Sequence, residues 1–228
     1  MKIAVLGGSF NPVHIGHLAL ADEVCKSLNY DSVLFVPTYK PPHKDMNSSI
    51  SALKRFEMVK KACEKDSRFK AEDCEIMREG ISYTYDTICF LEQKYKDVLE
   101  DKIGLIMGYD LLPGFHLWYK AKELCEKCTI IVANRPSEDN SSKKDYLNHA
   151  KGEYALLQKE MQNEKNCSGP FDYTKDALFK NAVFVDNPPL KVSSTEIRSR
   201  IGEGKSFKYL VCPEVFNYII EEKLYGLH

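Results

Sequence analysis

The segment Gly7-Gly8-Ser9-Phe10-Asn11-Pro12-Val13-His14-Ile15-Gly16-His17 brings together residue types suited to phosphate chemistry. Two adjacent glycines let backbone N–H groups approach an anion closely, and His14 and His17 share one side of a helix that starts between them. Imidazoles aimed at a phosphate chain can donate hydrogen bonds to the charge that grows there during transfer. Taken singly, a Gly-Gly after a strand is often only a tight turn, and a histidine a surface or core residue. In combination they describe one site. The spacing is neither Gly-x-Gly-x-x-Gly nor that of a P-loop, which disfavours a dehydrogenase with a dinucleotide cofactor.

Other segments carry weaker signals of the same kind. Ser193-Ser194-Thr195-Glu196 reads first as a capping box for a helix through Ile197 and Ile201, and Arg198 within the next turn adds a cationic fork that suits phosphate. Asp110, after Gly108, could accept ribose hydroxyls or cap a helix. Arg135 could bind a phosphate or close a surface ion pair. Pro41-Pro42-His43-Lys44 is a stiff loop carrying a cation, and Thr84 opens a helix whose first N–H groups could receive a carboxylate. Trp118, the only tryptophan, serves equally as core or as a flat apolar platform. Cys125-Glu126-Lys127-Cys128 has metal-ligand spacing without a second pair, so no protein metal site is expected.

The elements that must hold these residues alternate. Ile3 to Leu6 is a short apolar run ending at Gly7-Gly8, and from Ile15 apolar residues recur at Leu18, Ala21, Cys25 and Leu28. Ser32 to Val36 predicts a second strand, and Leu53, Phe56, Val59 and Cys63 the apolar face of a second helix. Thr84 to Tyr95 as helix precedes Ile103 to Met107 as strand, and Ala121 to Cys125 as helix precedes Thr129 to Ala133 as strand. From about 137 to 181 the chain turns polar, partly helical around Tyr154 to Gln162, and reads as an insertion in a single domain spanning 1–228. Ala182 to Val185 restores a strand, then come the helix after Ser193 and a closing helix after Pro213 with Val215, Phe216, Ile219, Ile220 and Leu224. Such alternation implies an α/β fold, a Rossmann-like doubly wound parallel sheet with a small C-terminal helical part.

At this point the residues carry a likeness. The loop with His14-Ile15-Gly16-His17 resembles the signature of the nucleotidyltransferase superfamily that includes class I aminoacyl-tRNA synthetases, and the match is closest to the bacterial nicotinate mononucleotide adenylyltransferase family. Pro41-Pro42-His43-Lys44, Ser82 to Thr87, Gly108-Tyr109-Asp110 with Trp118, Asn134-Arg135-Pro136 and Val192 to Arg198 occur in that family's order. The resemblance implies transfer of AMP from ATP to nicotinate mononucleotide, with Gly7, Gly8, Ser9, Phe10, His14, His17, Ser194, Thr195 and Arg198 at ATP. It implies that His43 and Lys44 lie near the nucleotide phosphates, that Thr84 selects nicotinate over nicotinamide, and that Trp118 stacks on the pyridine. Gly108, Asp110 and Arg135 complete the expected substrate site. Catalysis would fall to His14, His17, Lys44 and Arg198, with Mg²⁺ bound with ATP and no covalent intermediate. Asn11 and Tyr109 depart from the family pattern. Nicotinamide mononucleotide or another phosphorylated acceptor such as phosphopantetheine is the alternative acceptor, and a non-catalytic nucleotide-binding regulator the alternative class.

Composition excludes other classes. In 228 residues, Lys+Arg 32 nearly balance Asp+Glu 33, so a general nucleic-acid binder relying on phosphate neutralisation is not expected. No apolar run is long enough for a signal peptide or a membrane span. Eight scattered cysteines fit reduced thiols and a cytoplasmic protein. A homo-oligomer is compatible with everything in the sequence.

Overall fold

A computed structural model of the chain describes residues 1–42, 50–134 and 175–227. Six strands form one sheet in the order β3-β2-β1-β4-β5-β6. They are β1 (Ile3–Gly8), β2 (Ser32–Pro37), β3 (Phe69–Ala71), β4 (Gly104–Gly108), β5 (Thr129–Asn134) and β6 (Val183–Asp186). Every pairing is parallel. Among the described residues the α-helices are α1 (Ile15–Ser27), α2 (Ala52–Cys63), α3 (Cys74–Arg78), α4 (Thr84–Tyr95), α5 (Ala121–Lys127), α6 (Ser194–Gly202) and α7 (Pro213–Glu221).

Strand periodicity sorts the core into two layers, because successive side chains point to opposite faces. Ala4, Leu6, Val33, Phe35, Ile106 and Ile131 meet α1, α2, α6 and α7 on one face. Ile3, Val5, Leu34, Val36, Leu105, Met107, Ile130 and Val132 meet α4 and α5 on the other. This is the expected doubly wound α/β sheet. With β1 at its centre, the carboxyl ends of β1 and β4 lie side by side where the strand order reverses, the position at which sheets of this kind bind ligands.

The differences from expectation are local. β1 runs on through Gly7 and Gly8 as strand. β3 and α3, of three and five residues, are too short to show a period. On α2 the apolar face is rotated: Arg55, Met58, Val59, Ala62 and Cys63 are buried, whereas Leu53 is 65% exposed. Ile220 of α7 likewise faces outward. Tyr109–Leu117 winds as a 3₁₀ segment containing Pro113. Of the expected insertion, 137–174, with its anticipated helix, lies outside the described residues. Ala177–Phe179 makes a 3₁₀ turn that buries Phe179 against Phe115, ring centroids 5.4 Å apart. Cys125 is half-buried and Cys128 buried, and burial pushes their thiols up to about 11 and about 12. Among the described residues no helix is long and apolar enough to cross a membrane.

Candidate active site

The first loop leaves β1 at its carboxyl end, where the strand order reverses. Phe10 sits at φ 45, a left-handed conformation costing a non-glycine residue about 1 kcal/mol. Its buried ring offsets that cost by packing edge-on to His17 at 5.0 Å and against Phe35 at 5.8 Å. Asn11 and Pro12 are joined by a cis peptide. His14 is the extended residue that precedes α1, and His17 Nδ1 accepts the His14 backbone N–H at 3.2 Å. That bond leaves the neutral His17 ring with its proton on Nε2. The two imidazoles stack, centroids 3.7 Å apart and 27° from parallel, so the expected common direction is met. Gly16 lets the rings sit close: a Cβ there would lie 3.2 Å from the His14 ring and 3.0 Å from Val192, so a larger residue would make these side chains shift.

The start of α1 is less open to an anion than the sequence suggests. Ile15 N–H donates to Leu210 O at 3.1 Å, and His17 N–H to His14 O at 2.9 Å. A Cβ at Gly7 would meet no described atom within 4 Å, so protein packing does not demand glycine at that position.

Distant segments hold this loop by its oxygens. Ser194 Oγ–H donates to Pro12 O at 2.8 Å, and Arg198 donates through Nη1 to Asn11 O at 2.7 Å and through Nη2 to Thr195 Oγ1 at 3.3 Å. Ser193, not Ser194, caps α6, accepting from Glu196 N–H at 3.1 Å. A helix cap thus accounts for Ser193 alone, while Ser194 and Arg198 bring α6 onto the first loop. Tyr225, half-buried near the C-terminus, donates its hydroxyl to Asn11 Oδ1 at 2.9 Å. An aspartate would present the same acceptor, which explains why Asn11 fits. Arg55 donates to Ser9 O at 2.7 Å and to Thr38 O at 2.6 Å.

On the opposite side of the sheet, Ser82 ties the start of α4 to the loop after β2. Its hydroxyl accepts from Tyr39 N–H at 3.2 Å and Lys40 N–H at 3.4 Å, and its own N–H donates to Lys40 O at 2.8 Å. Beneath it, Thr87 donates to Glu75 Oε1 at 2.7 Å and accepts from Arg78 at 3.1 Å. Burial pushes the Glu75 carboxyl above the usual range, against the opposing effects of Thr87, Ser82, Arg78 and the Tyr39 N–H. Tyr83 precedes α4 without capping it by side chain, so Thr84 opens the helix as expected. Tyr83 and Tyr85 pack on Tyr119 at 4.8 and 6.1 Å, and Lys120 Nζ lies 4.4 Å from the Tyr85 ring centre.

Trp118 is half-buried, 5.1 Å from Phe115, with its backbone next to Tyr119. Gly108 and Asp110 sit where β4 ends. Gly108 itself is the residue preceding the 3₁₀ segment, which sets aside a capping role for Asp110. Asp110 Oδ1 folds over Gly108, where a Cβ would make the Asp110 side chain swing away. Tyr109 and Asp110 are both exposed at this rim. His43, Lys44 and Arg135 lie outside the described residues. The strand ends thus bring the Gly7–His17 loop and the Ser194–Arg198 segment into direct contact, with Gly108–Asp110 on the neighbouring strand.

Sequence reading passed over Arg55, Glu75 and Tyr225. A cation within an otherwise apolar helical stripe, as at Arg55 beside Met58 and Val59, was the available signal. Tyr225, far along the chain, offered none.

The cytidylyltransferase-like family model matches residues 5–200. The chain is 35% identical over 225 residues to the probable nicotinate-nucleotide adenylyltransferase of Borreliella burgdorferi, covering 99% of this chain and 97% of that protein. It is 36% identical to the probable nicotinate-nucleotide adenylyltransferase of Treponema pallidum, with 99% of both chains covered. Among solved structures, Plasmodium falciparum nicotinic acid mononucleotide adenylyltransferase complexed with NaAD matches with a TM-score of 0.68 at 18% identity, covering 100% of this chain and 98% of that one. A putative nicotinate-nucleotide adenylyltransferase from Vibrio parahaemolyticus gives 0.61 at 22% identity, with coverages of 99% and 96%. Those structural likenesses support the fold, and the relatives at 35–36% identity support more: the chain belongs to the nicotinate-nucleotide adenylyltransferase family of cytidylyltransferase-like nucleotidyltransferases.

Proposed function

We propose that the protein transfers AMP from ATP to nicotinate mononucleotide, giving deamido-NAD and pyrophosphate. The observation that carries this reading is the docking of Ser194 and Arg198 onto the carbonyls of Pro12 and Asn11, which joins two phosphate-type segments from opposite ends of the chain beside the carboxyl end of β1. Family membership supplies the acceptor.

The acceptor's 5′-phosphate is already anionic and needs no strong base. One of its oxygens attacks the α-phosphorus of ATP in line, the new P–O bond forms, and the bond to the β-phosphate bridging oxygen breaks, releasing pyrophosphate. The protein's work is positioning and charge stabilisation. In this reading Gly7, Gly8, Ser9 and Phe10 cradle ATP, and His14 and His17 donate to oxygens on the transferring phosphorus. Arg198 and Lys44 offset charge on the departing pyrophosphate, with Ser194 and Thr195 alongside. His43 and Arg135 bind acceptor phosphate, Asp110 beside Gly108 accepts ribose hydroxyls, Thr84 receives the nicotinate carboxylate at the start of α4, and Trp118 faces the pyridine ring.

Mg²⁺ enters with ATP as part of the substrate, neutralising phosphate charge. Among the described residues no three His, Cys, Asp or Glu side chains are grouped to hold a metal ion. ATP and a free mononucleotide as substrates assign the reaction to the cytoplasm.

The test uses ATP labelled at the α-phosphate, with Mg²⁺ and nicotinate mononucleotide. Direct transfer is expected to put the label in the dinucleotide, release one pyrophosphate per product, and leave the protein unlabelled at every time point. Label that accumulates on the protein and then passes to product would overturn direct displacement.

A further inference from the structure

Among the described residues, the roles assigned so far leave one buried cation unused. Arg55 of α2 is 1% exposed, and its guanidinium spans the gap between the first loop and the loop after β2. It donates through Nη1 to Ser9 O at 2.7 Å, and through Nη2 to Thr38 O at 2.6 Å and Tyr39 O at 3.4 Å. Its Nε has no hydrogen-bond partner among the described residues. The groups that face it electrostatically are the Tyr225 hydroxyl and the Glu75 carboxyl.

A charge this deep is costly, and an apolar side chain of similar length would fill the α2 face more cheaply. What an apolar residue could not do is fix carbonyls of two separate loops on one planar fork. The second loop is also gripped from its N–H side, where Ser82 accepts from Tyr39 and Lys40. Thr38 N–H adds a direct bond to Gly8 O at 2.9 Å. Chain direction then carries this loop into Pro41-Pro42-His43-Lys44.

We infer that Arg55 is a positioning residue that sets the spacing between the first loop and the loop after β2, and through it the approach of acceptor phosphate to ATP. This rests on the proposed reading, in which the two loops serve the two substrates. In-line transfer depends steeply on the separation of the reacting atoms, whereas ground-state binding of each substrate depends on its own loop. The loss on mutation therefore belongs in kcat more than in either KM.

The test compares R55K, which keeps the charge and loses the fork, with V59A, which opens a cavity one turn further along the same helix and removes no hydrogen bond to either loop. Both are assayed well below their melting temperatures, with each substrate varied. R55K is expected to lose at least tenfold in kcat with both KM values within about threefold, and V59A to melt lower with kcat within about twofold. S82A, which frees the same loop from its other side and removes only one oxygen, is expected to lower kcat in the same manner and serves if R55K does not fold. An R55K enzyme that differs from V59A only in melting temperature, a loss confined to one KM, or full kcat in S82A would overturn the inference. Wild-type protein that forms no dinucleotide would instead overturn the functional reading, and this inference with it.

Discussion

His17 accepts the His14 N–H at Nδ1, so its proton sits on Nε2, the atom a phosphoryl oxygen would meet. Removing that donor with His17→Ala is expected to lower kcat about a hundredfold while the melting temperature changes little. Normal turnover by a folded variant would reject the role. Glu75 offers a test of a different kind, because burial raises its carboxyl above the unfolded value of 4.5. Folding then favours the protonated form, so the group's stabilisation is complete below pH 4.5 and is lost as pH rises to the folded value, beyond which it stays constant. Relative to E75Q, whose side chain does not titrate, wild-type protein should lose melting temperature across that window. A difference that stays flat from acid to neutral pH would show that Glu75 titrates normally. Of these residues, the histidines were legible because type and spacing coincide in one loop. Glu75 was not, since its role comes from burial beside Thr87 and Ser82 rather than from any pattern in the chain.

At the level of elements, α6 acts as a brace for the first loop. Its docking rests on the Ser194 and Arg198 bonds to Pro12 and Asn11. Ser194→Ala leaves a buried carbonyl without its donor and is expected to lower kcat/KM for ATP about tenfold, corresponding to about 1.4 kcal/mol. The effect on KM for the mononucleotide should be small, and equal losses for both substrates would argue against a brace specific to the ATP side. Legibility at this scale followed element length. α4 was bounded correctly, while β3, α3 and the 3₁₀ segment were too short or too irregular to show a period. The rotated face of α2 has a physical cause: three carbonyl partners hold Arg55 inside, and Leu53 is left in solvent.

For the whole molecule, the strand order decides the site. Because β1 and β4 are neighbours, the first loop and Gly108–Asp110 leave the sheet side by side although a hundred residues of sequence separate them. The alternation of strands and helices made this fold readable, since parallel sheets need crossovers and the crossovers carry the helical period. The contacts of Tyr225 and Arg55 were not readable, because they exist only once the chain has closed on itself. The central claim is AMP transfer to the acid form of the pyridine mononucleotide. The most direct measurement is kcat/KM with Mg-ATP for nicotinate and for nicotinamide mononucleotide in parallel, following dinucleotide and pyrophosphate. A site that receives a carboxylate at the start of α4 should favour nicotinate mononucleotide by at least about tenfold. Equal use of both acceptors, preference for the amide, or no dinucleotide from either would contradict the account.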